Sequence, residues 1–517
     1  MSSIEKTIST ALVGTGHHHL EQTQTNTPLD PILNQVTAET DDQAHQLLTH
    51  VGSLTLYEEI GQQTDIKLPP PHTGLAPENH QQSLPAEAAA LLTELCLQNE
   101  QFVLSQLLAG VRQRGWHVPL DLWPNLFKMG QKHMGFRIPI INACDDLSRW
   151  LARQNEDWHY ALWPEKSWAE IQDIFHNSQP PTRLALLRWY RQHDPAKGRQ
   201  LLQTCWQAIT ATQRSQLLNI LKDELSAEDE PFLEMALDDR QLTARRKAQE
   251  LLSGLPDAQL GQRMIEHGRH FMRWTPRQKK PLTVTKPDVH SNRMKRDGIP
   301  PRSEKKETAY LSNRITNIVS YTPLDYWSTE IADDIPHFLE LVSLSNWTRT
   351  LINGLVKATT QQNRPDWAYA LINWGLHGRY EKLTLRNTHL LTPNAFNNLV
   401  TISIEEADQI EPLNSNGRLS HLLRSWKQPW PEPAAQQILG QITLYLKNQP
   451  PERLPDTTLK SAIRQFFSHA PLSLTPKIQH QLGHRLGLHP QWQVTIDKGC
   501  KIIEQRQRMA VIFETNE

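Results

Sequence analysis

Three short stretches carry residue types that could do chemistry. His480 and His484 stand four apart, with His489 beyond Gly487. Two imidazoles one helical turn apart share a face and can chelate a metal ion. The H-E-x-x-H pattern of zinc proteases also needs a general base, and here Gln481 occupies the Glu position. With no carboxylate nearby to complete a ligand set, the pair reads as surface histidines. Asp145-Asp146 offers two carboxylates for acid and base work. Adjacent helical residues point about 100° apart, so these two do not converge on one reacting atom without a third element. Val13-Gly14-Thr15-Gly16, followed by His17, His18 and His19, suggests a phosphate loop but lacks its Lys and second glycine half; no G-x-G-x-x-G stands elsewhere. It reads as an exposed polar turn. No catalytic, cofactor-binding or metal-binding set is legible in the linear sequence.

The strongest charge feature lies between Arg269 and Lys306. Twelve basic residues face three acidic ones, Asp288, Asp297 and Glu304. The candidate contact residues are Arg277, Lys279, Lys280, Arg293, Lys295, Arg296, Arg302, Lys305 and Lys306. Such an excess can neutralise phosphates, with steep salt dependence. Only Phe271 and Trp274 supply aromatic interleaving, both at its edge, and no nucleic-acid recognition motif follows. The open readings are nucleic-acid contact, an acidic protein partner, a solvated connector, or an acidic surface of the same molecule. Several prolines and little periodicity predict a long loop here, and with it the best domain boundary in the chain.

The elements that would position these residues are helices, and from Pro180 to His267 they repeat. A shift of about 31 residues brings Arg183, Arg214 and Arg245 into register, and with them three apolar sets. These are Leu186, Leu217 and Ala248, then Trp189, Ile220 and Leu251, then Tyr190, Leu221 and Leu252; further on Leu202, Leu233 and Met264 align. A period in this range marks stacked units, none of which hides its apolar face alone. Turns fall at matching places, with Asp194 an N-cap before Pro195 at a first helical position. Asp238-Asp239 ahead of Arg245 suggests the turn of HEAT-like repeats, where an Asp meets an Arg of a neighbouring helix. The acidic run Asp223, Glu224, Glu228, Asp229 and Glu230 reads as a solvated helix end.

Helical spacing continues outside the array. Predicted helices cover Gln43–Ile60, Glu100–Arg114 (closed by Gly115), Leu120–Gly130 and Phe136–Arg153, and one opens at Pro85. After Tyr310 they resume through the pairs around Trp347 and Trp367 to a last long helix from about Gln491 to Phe513. The 16 Trp suit inter-helix packing, and a net charge of −1 over 517 residues predicts neither a nucleic-acid nor a membrane partner for the chain as a whole. Cys96, Cys144, Cys205 and Cys500 are too scattered for a disulfide framework or a zinc site. With no apolar run near 18 residues and no leader at Met1, a soluble cytoplasmic protein is expected.

The expected fold is therefore all-α, an α-solenoid of HEAT-like helix pairs in two halves joined by a long basic loop. Its divisions are an amino-terminal helical region (1–170), the array (171–268), the basic segment (269–308) and a carboxy-terminal helical region (309–517). Leu12-Val13-Gly14-Thr15, Trp150-Leu151-Ala152-Arg153-Gln154-Asn155-Glu156-Asp157-Trp158, Arg245-Arg246-Lys247-Ala248 with Leu251–Pro256, and Arg296-Asp297-Gly298-Ile299 together resemble a bacterial family of uncharacterised proteins, a domain of unknown function. Where that family tends to read Gly-Thr-Glu-Arg, this chain has Gly14-Thr15-Gly16-His17. The resemblance implies helical repeats and genes lying beside those for a MoxR-type AAA ATPase, a von Willebrand factor A-type protein and a SWIM zinc-finger protein. It implies an adaptor in a chaperone-like ATPase system, and brings no catalytic residues and no cofactor. The expected function is a non-enzymatic protein–protein interaction scaffold; the alternative is a helical-repeat protein that binds nucleic acid through 269–306.

Overall fold

The computed structural model describes residues 9–13, 15, 25, 27–61, 76–77, 81–98, 100–285, 291–300, 307–376, 380–406, 413, 417–449, 452, 454, 456–483 and 489–516. The glycines and histidines of 14 and 16–19, together with His484, Arg302, Lys305 and Lys306, lie outside the described residues. The chain divides into two compact units, Met1–Leu75 and Ala76–Glu517. In the first, α1 (Asp30–Glu39) packs on α2 (Gln43–Gly61) around Leu29, Leu33 and Leu54. His50 is buried there, its Nε2 3.1 Å from the Leu33 carbonyl oxygen.

Among its described residues the second unit is all-α apart from one short hairpin and an isolated bridge between Ser83 and His117. It begins with α3 (Ala86–Gln98) and α4 (Gln101–Gln113). In α3 the spacing of Ala88, Leu91, Leu92 and Leu95 puts all four on one face, and all four are buried. Gly115 ends the next helix at φ +65°, the left-handed conformation that favours glycine. The helix predicted from Phe136 to Arg153 is two. After α5 (Trp123–Lys132) and α6 (Arg137–Ala143), Asp145 starts α7 (Asp146–Arg153) by accepting a hydrogen bond of 2.8 Å from the Ser148 amide. A capping box of that kind outweighs the continuing apolar pattern. A 3₁₀ stretch, Glu156–Glu165, buries Tyr160 and Trp163 and leads to α8 (Trp168–Asn177).

The array follows as α9 (Pro180–His193), α10 (Pro195–Cys205), α11 (Ala211–Ile220), α12 (Glu230–Ala236), α13 (Leu242–Leu252) and α14 (Gln259–Phe271). All twelve apolar positions that the 31-residue shift aligns are buried, so the sequence period is a period of core-facing side chains. The first helices of successive pairs pack on each other, α9 on α11 and α11 on α13. Asp194 caps α10 through the Lys197 amide at 3.0 Å, ahead of Pro195 as its spacing predicts. The register arginines share one role, since each bonds carbonyls just before its own helix. Arg183 donates to the His176 carbonyl, Arg214 to those of Trp206 and Ile209, and Arg245 to those of Asp239 and Arg240. Arg214 also meets Asp239 at 2.6 Å, the expected Asp–Arg contact between neighbouring helices.

The basic segment is partly ordered by packing. β1 (Met272–Trp274) pairs antiparallel with β2 (Leu282–Val284), Met272 opposite Val284 and Trp274 opposite Leu282. Then α15 (Asn292–Arg296) ends in a turn that buries Asp297 and Ile299 completely. Where low periodicity predicts loop, a hairpin and a helical turn are held because Met272, Leu282 and Ile299 join the core on either side. α14 packs directly on α16 (Glu307–Tyr321), so helix stacking continues across the segment.

Beyond it come α17 (Ile335–Ser343), α18 (Thr348–Gln361) and α19 (Pro365–Gly375), then α20 (Pro393–Glu405), α21 (Arg418–Ser425), α22 (Glu432–Lys447), α23 (Thr457–His469), α24 (Thr475–Leu482) and α25 (Pro490–Thr515). One core runs from Leu84 to Leu371, a second from Ala368 to Ile503. The last helix touches both. Ile496 and Ile503 of α25 lie in the second core, whereas Ile502, Met509 and Ile512 lie in the first, against α3 and α4. The end of this unit thus returns onto its beginning. Arg508 reaches Glu94 at 2.8 Å, and Arg114 donates to the Phe513 carbonyl at 3.1 Å.

Candidate functional site: a basic cleft beside the array

Where the basic segment meets the array, four helical elements wall a cleft of about 630 Å³. α13 contributes Leu242, Arg246 and Gln249, which the 3.6-residue period sets on one face, with Arg245 and Glu250 beside them. The turn after α15 contributes Gly298, Ile299 and Pro300, with Lys295 from the helix itself. Asn313, Asn317 and Tyr321, spaced by four along α16, line it from that helix, and Lys357 of α18 joins them.

A polar network fixes the turn in place. Arg296 donates to Asp238 at 2.8 Å and to Glu234 at 2.9 Å, tying α15 to the array. Asp297 accepts from Arg263 at 3.0 Å through both carboxylate oxygens, and His267 stands 3.5 Å away. Burial pushes the Asp297 carboxyl up, but His267 and Arg263 outweigh it and hold it below the ordinary range. Burial alone depresses Arg263 and Arg296, yet the carboxylates around each leave both above the usual value. Gln249 donates to the Arg296 carbonyl at 2.9 Å and Asn317 to the Gly298 carbonyl at 2.8 Å. Gly298 sits at φ +89°, where a Cβ would stand 2.6 Å from the Gln249 side chain. The left-handed backbone conformation favours glycine, and a Cβ there would also displace the Gln249 amide.

The rim is less satisfied than the floor. Arg245, Arg246, Lys295 and Lys357 line the cleft against one acid, Glu250, which already pairs with Lys247. Among the described residues no carboxylate lies within ion-pair distance of Arg246, Lys295 or Lys357, and all three are exposed. Leu242, also half exposed, and half-buried Pro300 add apolar surface to the lining. The arrangement can hold a carboxylate- or phosphate-bearing group among cations while offering an apolar shelf.

The sequence-selected basic residues separate into three groups. Lys295 lines the cleft and Arg296 anchors it from behind. Arg277, Lys279 and Lys280 are exposed in the turn between β1 and β2, and Arg293 is exposed on α15. Arg302, Lys305 and Lys306 lie outside the described residues. Sequence reasoning missed Arg246 and Lys357 as members of the same site; they stand more than 100 residues apart, and only stacking of α13, α16 and α18 unites them. Asp229, read as part of a solvated run, is fully buried because Arg191 and Arg199 each reach it at 2.9 Å.

The other candidates have structural work. Asp145 caps α7, and Asp146 is exposed 3.6 Å from Arg149. His480 is exposed near the end of α24, and His489 caps α25 by accepting from the Gln491 amide at 3.1 Å. Among the described residues no group of three or more His, Cys, Asp or Glu is placed to hold a metal ion. The cysteines are free, and burial pushes the Cys144 thiol up to about 12. No helix among the described residues is long and apolar enough to cross a membrane.

A family model described as "Family of unknown function (DUF5691)" matches residues 6–512. The chain belongs to this family. The match spans the motifs on which the resemblance rests, from Leu12-Val13 to Arg296-Asp297-Gly298-Ile299. The second of these builds the cleft floor, with Arg296 and Asp297 bound to the array and Gly298 and Ile299 lining the turn. No curated protein matches the chain, and no solved structure does.

Proposed function

We propose that this protein is a non-enzymatic interaction scaffold, a cytoplasmic adaptor built as a HEAT-like α-solenoid whose stacked layers present a partner-binding surface. The observation that carries the reading is the composite cleft: its walls come from three stacked helices and an intervening turn, its floor is locked by the buried Arg263–Asp297 pair and by Arg296, and its rim carries cations that have no carboxylate partner among the described residues. Rigid layers that leave polar groups unspent at their junction suit recognition of a segment from another protein. The family resemblance supplies the partner class, a MoxR-type AAA ATPase or a von Willebrand factor A-type protein. Affinity purification of the full chain from its own cells after in-cell cross-linking tests this. Stoichiometric recovery of a AAA ATPase or of its von Willebrand factor A-type companion supports the adaptor; a chain that elutes alone at every cross-linker dose contradicts it.

A second reading, nucleic-acid binding through 269–306, is favoured by one observation: Arg277, Lys279, Lys280, Arg293 and Lys295 are all exposed. Nuclease-sensitive co-purification would support it. Charge reversal at Lys279 and Lys280 is its sharpest check, since those side chains lie on the hairpin turn rather than in the cleft.

A further inference from the structure

Resting on the scaffold reading, we infer that the cleft between α13, α15 and α16 is a docking site for an acidic peptide segment that carries an apolar residue beside its carboxylates. Three features select this ligand. The charge is local: Arg246, Lys295 and Lys357 converge from three elements with no carboxylate partner among the described residues, so a carboxylate entering the cleft meets cations that surrender no existing ion pair. The lining is mixed, because Leu242 is 48% exposed and half-buried Pro300 lines the same cleft. A bare phosphate or a nucleic-acid backbone uses the cations and wastes that shelf, whereas a Glu- or Asp-rich segment with a Leu or Phe uses both.

The third feature is geometry. The floor is fixed by Gln249 and Asn317 bonding the backbone of the Arg296–Gly298 turn, which sets the exposed rim cations over a rigid base. Among the described lining residues the one aromatic, Tyr321, is buried with its hydroxyl 3.4 Å from the Gln249 side-chain oxygen. It offers no exposed face on which a base would stack, and single-stranded nucleic acid draws much of its affinity from such faces.

The test uses the full chain and a fluorescein-labelled peptide of alternating Glu and Leu, with a Gln-for-Glu peptide and a single-stranded oligonucleotide of matched charge as competitors. The expected result is saturable binding that weakens with salt, is not displaced by the Gln peptide, and falls about tenfold or more in Arg246→Glu/Lys295→Glu. Lys279→Glu/Lys280→Glu should bind as the parent does. Both variants alter exposed side chains, and unchanged thermal melting confirms that they fold. Equal binding by the cleft variant and the parent overturns the assignment, as does stronger competition by the oligonucleotide that the cleft variant abolishes. Failure here is distinct from failure of the scaffold: if the cleft variant still recovers the cross-linked partner of the parent, the scaffold stands and its docking surface lies elsewhere.

Discussion

Arg191 shows how much this chain asks of single charged side chains. It is fully buried, 2.9 Å from Asp229, and also donates to the carbonyls of Asp223, Leu221, Glu224 and Pro195. Glu224 reaches φ +55° to present its carbonyl. Removing the guanidinium takes one cation from buried Asp229, leaving it to Arg199, and strands several carbonyls at once. Arg191→Ala should therefore cost about 3–5 kcal/mol, read as a lower urea midpoint, whereas Arg188→Ala on the exposed side should change little. Glu94 makes a pH-dependent counterpart. Burial pushes its carboxyl up, but hydrogen bonds from Arg508, Gln505, Gln98 and Lys501 outweigh it and bring it from 4.5 to about 2. A lowered carboxylate contributes stability that is complete above its ordinary value and disappears as pH falls through the folded-state value. The melting difference between the parent and Glu94→Gln should hold steady down to about pH 5 and shrink to nothing near pH 2. A difference that grows on acidification would contradict the pairing.

At the scale of elements, the turn after α15 decides whether the cleft exists. Gly298→Ala places a methyl where the Gln249 side chain stands and forces a left-handed residue to carry a Cβ, a strain of about 1–3 kcal/mol. Hydrogen exchange at the Ile299 amide, which donates to the Met294 carbonyl at 2.8 Å, should quicken in that variant while amides of α9 stay protected. Unchanged exchange at Ile299 would show that the turn does not depend on glycine. These elements are unevenly legible in the sequence. The array can be read because its signal is local: the 31-residue shift marks twelve positions, and every one is buried. Asp194 and Pro195 announce their helix for the same reason. The cleft cannot be read, because Arg246, Asn313 and Lys357 owe their proximity to stacking, which leaves no trace in spacing. The basic segment misleads in part: its prolines and lost periodicity signal loop, while Met272, Leu282 and Ile299 enter the core singly, too far apart to form a pattern.

On the scale of the Ala76–Glu517 unit, α25 is the element that ties the ends together. It contributes to both cores and carries the contacts that join residues near 94–116 to those near 501–513. Phe513 is central to that junction: the Arg114 guanidinium lies 4.3 Å from its ring centroid, and the Trp116 ring stands 6.0 Å away. A last helix packed on the first two of this unit ties residues far apart in the chain, so loosening that junction should be felt on both sides of it. The most direct measurement is hydrogen exchange by mass spectrometry on the full chain and on Phe513→Ala. Slow exchange is predicted in Ala86–Gln113 and Pro490–Thr515 of the parent, with both segments losing protection together in the variant. Rapid exchange of Pro490–Thr515 in the parent, or a loss confined to that helix in the variant, would contradict a unit whose end is packed onto its beginning.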